Sequence, residues 1–90
     1  MANIKIPTPL RKFTNGEVEV KGGGSTIQEL ISDLDKNYPG IKDRILDEQG
    51  TPRKFVNIYV DKEDIRFLDG LNTKIKDGDE ISIVPAVAGG

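Results

Sequence analysis

Ile27, Leu30, Ile31 and Leu34 recur at i, i+3, i+4 and i+7, one apolar stripe set among runs that alternate with period two. That pairing constrains the fold more than any other feature of the chain. A helix with one apolar face must bury it, and so must a strand with one apolar face; stacked in two layers, each covers the other. The glycine run Gly22-Gly23-Gly24 separates the helix from the strand before it, and Ser25 is placed to cap its first turn by accepting from an orphan amide. Pro39-Gly40 is its stop signal.

The alternating runs supply the sheet. Asn3-Ile4-Lys5-Ile6 and Glu17-Val18-Glu19-Val20-Lys21 read as an opening antiparallel pair, joined by a long loop through Leu10 and Phe13 with a turn at Asn15-Gly16. Phe55-Val56-Asn57-Ile58-Tyr59-Val60 is the densest in β-branched and aromatic residues. Asp61 to Asp64 reads as a polar turn, Ile65-Arg66-Phe67 as a short strand, and Glu80 to Val84 as the last strand, ended by Pro85. Ile41, Ile45 and Leu46 suggest a short helical turn before a polar loop. The expected core is Ile4, Ile6, Val18, Val20, the helix stripe, Val56, Ile58, Val60, Ile81 and Ile83. The expected class is α+β, a mixed four- to five-stranded sheet on one main helix, with residues 1–85 as the domain and 86–90 as a flexible tail.

Composition narrows the chemistry. The chain contains no Cys, His or Trp, so a Cys–His pair, a Ser–His triad and the usual zinc sites are unavailable. A net charge of −2 gives no pull toward a phosphate backbone, which argues against a nucleic-acid partner. No apolar run is long enough to span a membrane. The first residues lack the layout of a signal peptide, and the absence of Cys fits a cytoplasmic location. A self-contained enzyme is the weakest candidate, and no bound cofactor is expected.

After Pro85 the side chains shrink through Ala86-Val87-Ala88 to Gly89-Gly90. A backbone this slender can enter a narrow tunnel in a partner, and glycine permits close approach. Extended at ~3.3 Å per residue, Pro85 to Gly90 reaches about 20 Å. A carboxyl at Gly90 is almost wholly ionised at neutral pH. If Val56, Ile58 and Val60 face the helix, Phe55 and Tyr59 point to the other side of the sheet, as does Val84 when Ile81 and Ile83 point inward. Phe55, Tyr59 and Val84 are therefore the expected partner-binding patch.

The run Asp77 to Gly90, with Phe55 to Val60, Asp64-Ile65-Arg66-Phe67 and the opening Ile6-Pro7-Thr8, resembles the MoaD/ThiS family of ubiquitin-like, β-grasp sulfur carriers. Within it the likeness is greatest to the carrier of the O-phosphoserine-dependent cysteine pathway. The resemblance implies that an E1-like enzyme adenylates Gly90 with ATP and that the product becomes a terminal thiocarboxylate. It further implies delivery of sulfur to an acceptor on a pyridoxal-phosphate-dependent cysteine synthase, and release of the product by a JAMM-type metalloprotease. Gly90 would carry the sulfur, Gly89 would permit tunnel entry, and Pro85, Ala86, Val87 and Ala88 would form the arm. The chain would then be a protein substrate and not a catalyst.

Two rival functions share these residues. A ubiquitin-like modifier would be joined through Gly90 to lysines of other proteins, and a plain binding module would carry an inert tail. Gly22-Gly23-Gly24-Ser25 precedes a helix, as phosphate loops do, but lacks the Gly-Lys-Ser/Thr ending and reads as a strand-to-helix connection. The acidic groups Glu63/Asp64 and Asp77/Asp79/Glu80 lack calcium-loop spacing and read as solvated turns, with steering toward a basic partner as the functional alternative.

Overall fold

The computed structural model describes residues 1–54 and 56–85. Its strands are β1 (Ala2–Lys5), β2 (Glu19–Gly22), β3 (Val56–Val60), β4 (Glu63–Asp64) and β5 (Glu80–Pro85); its helices are α1 (Ile27–Asn37) and α2 (Lys42–Ile45). The strands form one five-stranded sheet in the order β2-β1-β5-β3-β4. β5 runs parallel to β1 and antiparallel to β3, so the last strand is driven into the middle of the sheet. This is the mixed sheet on one main helix that the residue pattern predicts.

The core lies between the sheet and α1. Ile4, Ile27, Leu30, Leu34, Ile58 and Ile81 are all nearly or fully buried. Burying a side chain of this size contributes roughly 1.5–3 kcal/mol, which is how one stripe can fix a helix of only eleven residues. Ile41, Ile45 and Leu46 close the end of this core from α2. Gly22 sits where β2 passes beneath α1: a Cβ there would lie 2.8 Å from Cδ1 of both Ile4 and Leu30.

Four local expectations are corrected. Val18 is 57% exposed and not part of the core. The turn through Asn15 and Gly16, both left-handed, delays entry into β2 until Glu19, the partner of Lys5. The N-cap of α1 is Thr26 and not Ser25: the Thr26 hydroxyl accepts from the Glu29 amide, while the Glu29 carboxylate accepts from the Ser25 amide. This reciprocal arrangement is a capping box shifted by one residue. The loop between the first strands carries a 3-10 helix, Thr8–Thr14, that buries Leu10.

The fourth correction concerns Ile65–Phe67, which is a 3-10 helix and not a strand. Asp61 and Lys62 both have positive φ and make a tight hairpin turn, so Glu63 and Asp64 already belong to β4. The Asp64 carboxylate then accepts from the Arg66 amide and curls the chain away from the sheet.

Candidate functional site: the root of the C-terminal tail

Tail residues Ala86, Val87, Ala88, Gly89 and Gly90 lie outside the described residues, as does Phe55. What the structure describes is the strand that presents the tail. β5 alternates strictly, with Ile81 and Ile83 buried in the core and Val84 turned outward. Its final residue, Pro85, stands opposite Val56 on β3, so this end of the central strand is held by β3 alone, the pairing with β1 having ended at Ser82. The lack of an amide N–H makes proline a natural end to such a strand.

On the outer face, Val84 is 40% exposed, and Tyr59 is half-buried. They are diagonal neighbours, since Tyr59 is registered with Ser82 and Val84 with Asn57. Tyr59 is also registered with Asp64, whose carboxylate takes a 2.7 Å hydrogen bond from the Arg66 guanidinium. That side-chain bond is the main reason the Asp64 carboxyl titrates below its ordinary range; the Arg66 amide adds to the effect and burial opposes it. The same bond to Asp64 raises the Arg66 pKa, with a smaller contribution from Tyr59. Asp64 is thus a buried, paired anchor and not the free surface charge that a solvated turn would offer.

Three of the other acids are also engaged, while Glu63 is exposed. Asp79 is buried and its carboxylate accepts from the Lys76 amide, closing the turn into β5. Asp77 pairs with the α-amino group of Met1, and Glu80 with Lys5. Among the described residues no cluster of His, Cys, Asp or Glu could hold a metal ion. No described helix is long and apolar enough to cross a membrane.

The glycine run has a packing explanation. Gly24 has φ +132°, and a Cβ there would come within 2.8 Å of Glu29 Cβ and 3.0 Å of the Glu29 and Leu30 backbone. The Gly23 amide donates to the Asp33 carboxylate. With Glu29 and Asp33 answering the local amides, the start of α1 already carries its own anions.

Two depressions flank Pro85. One, of about 470 Å³, is bordered by Lys5, Arg11, Ser82 and Val84. The other, of about 400 Å³, has Pro9, Phe13, Val56 and Pro85 among its apolar walls and Lys12, Arg44 and Arg53 around it. Sequence reading did not find this second groove, because its cations come from three separate segments that only the fold gathers. The exposure of Phe67, at 85%, was likewise hidden by reading its segment as a strand.

The ThiS family model matches residues 4–90. The chain belongs to the ThiS family. It is 51% identical to the sulfur carrier protein CysO of Mycobacterium tuberculosis over 89 residues, covering 97% of this chain and 96% of that one. Among solved structures it superposes on a chain of the Amycolatopsis orientalis BexX/CysO complex with a TM-score of 0.94, at 44% identity and covering all of both chains. The solution structure of small archaeal modifier protein 1 from Methanosarcina acetivorans matches with a TM-score of 0.82 at 33% identity, covering 99% of this chain and 95% of that one. These likenesses confirm the ubiquitin-like β-grasp fold for this ThiS-family member.

Proposed function

We propose that this protein is a sulfur carrier whose working group is the carboxyl of Gly90. The observation that carries the reading is the family match through Gly90, joined to 51% identity with a sulfur carrier over nearly the whole of both chains. The chemistry divides between chain and partner. An E1-like enzyme aligns the Gly90 carboxylate with ATP; a carboxylate oxygen attacks the α-phosphorus and pyrophosphate leaves. A sulfide equivalent then displaces AMP from the acyl-adenylate and leaves a thiocarboxylate. This chain contributes a presented carboxyl and a docking surface, and the catalytic groups belong to its partners.

The acceptor we favour is a pyridoxal-phosphate-dependent cysteine synthase, with a JAMM-type metalloprotease releasing the cysteine. The support is the likeness to CysO together with the whole-chain resemblance to the cysteine-pathway carrier. A partner protein is consistent with the BexX/CysO complex, in which a relative of this fold is held by another chain. Conjugation to lysines is the second reading, favoured by the likeness to an archaeal modifier.

Intact mass after incubation with the activating enzyme, ATP and sulfide tests the assignment. The expected result is a gain equal to replacing one oxygen by sulfur, absent from the chain shortened to Ala88. Ladders of larger conjugates with no such gain would instead establish the modifier.

A further inference from the structure

We propose that the groove beside Pro85 ringed by Lys12, Arg44 and Arg53 docks an acidic, partly apolar segment of the enzyme that activates the tail. The inference rests on the sulfur-carrier reading and adds to it a surface and a partner chemistry.

Charge carries the first part of the argument. The chain is acidic overall, at −2, yet three cations converge on one groove. Lys12 Nζ and Arg44 Cζ lie 5.6 and 5.8 Å from the centre of the Phe13 ring, which holds both charges at the groove wall. Among the described residues none of the three lies within 4.0 Å of a carboxylate. Of the acids that share a depression with Arg53, Asp47 spends its carboxylate on the Gln49 and Thr51 amides, and the exposed Glu48 makes no ion pair with it. Arg53 donates through Nε to the Asp43 carbonyl, a contact that fixes the guanidinium without neutralising it.

Position carries the second part. Pro85 is both the last described residue before the tail and a wall of the groove. An enzyme that draws the tail in as far as its root therefore meets this surface. The apolar walls at Phe13 and Val56 suit a short segment in which a carboxylate accompanies an apolar side chain. Carboxylates at such a rim act chiefly on association, and their effect falls with salt.

The test measures thiocarboxylation by the activating enzyme, read by intact mass, at low and high salt. The variants are full-length Lys12→Glu/Arg44→Glu and a control of equal charge change, Lys21→Glu/Lys62→Glu, placed at the opposite end of the sheet. The groove variant is expected to lose about tenfold in kcat/KM at low salt with kcat nearly unchanged, and the loss should shrink at high salt. The control should stay within about twofold of the parent chain. Circular dichroism checks the fold, and Arg44→Gln alone, expected to lose about threefold, serves if the double variant does not fold. Equal losses in the groove and control variants would overturn the inference while leaving the carrier reading intact. Faster reaction of the groove variant would also overturn it, showing that a basic partner or the Gly90 carboxylate itself uses the groove. A concentration-dependent dimer abolished by the variant would assign the groove to a second copy and overturn it too. Failure of the parent chain to gain sulfur would remove the carrier reading and this inference together.

Discussion

Val56, the first residue of β3, stands opposite Pro85, the last residue of β5. The last described residue of β5 is therefore held by the β3 ladder, three residues past the end of its pairing with β1 at Ser82. This relationship ties the packing of the sheet to the proposed chemistry at Gly90.

If the outer face is a partner surface, Tyr59→Ser/Val84→Ser should weaken binding to the activating enzyme by about tenfold while the chain stays folded. Isothermal titration calorimetry with melting curves measures both. Unchanged affinity of a folded double variant would limit the interface to the tail and its root.

Gly24 and Gly50 both have positive φ, but only Gly24 is crowded by backbone. Gly24→Ala should destabilise the domain by about 3 kcal/mol, and Gly50→Ala by about 1 kcal/mol. Urea unfolding of the two variants separates backbone strain from the added clash. Equal losses would show that α1 moves to admit a Cβ.

The capping box assigns distinct weights to adjacent hydroxyls. Thr26→Ala should cost about 1 kcal/mol, since it orphans the Glu29 amide, whereas Ser25→Ala should cost only a few tenths. Thermal melts of the pair check this, and the reverse order would return the cap to Ser25.

Asp64 predicts an acid-side dependence. Its folded carboxyl titrates below the ordinary value of 3.8, so the unfolded chain binds the proton more readily. Stability from the Asp64–Arg66 pair is thus fully present above that ordinary value and is lost as pH falls through the lowered one. Asp64→Asn should flatten the fall in stability below about pH 4 while costing stability at neutral pH. Denaturation midpoints measured across that range, with Arg66→Gln as the partner variant, test the assignment.

Much of the fold was legible because its signals are local and periodic. The stripe from Ile27 to Leu34 and the alternation in β1, β3 and β5 each announce a face that must be covered. Local pattern misleads where one hydrogen bond overrides propensity. Ile65-Arg66-Phe67 has strand-like residues, but the Asp64 carboxylate captures the Arg66 amide and bends the segment into a 3-10 helix. Val18 fits the alternation, yet it lies just outside the first registered pair of β2, Glu19 with Lys5, where its carbonyl still accepts from the Ile6 amide but its side chain is left exposed. Thr26 rather than Ser25 caps α1 because the hydroxyl must reach the Glu29 amide, a choice of one residue that spacing alone did not fix.

The candidate site divides along the same line. The tail sequence and its family resemblance are written in runs of consecutive residues, which need no tertiary neighbour to be recognisable. Sequence also determined the two-layer class, because amphipathic periodicity is a property of adjacent residues. The tertiary structure decided that β5 runs through the centre of the sheet, that Asp64 is buried against Arg66, and that Lys12, Arg44 and Arg53 meet beside Pro85. Those facts depend on distances between segments far apart in the chain, and such distances are set by packing and not by local pattern.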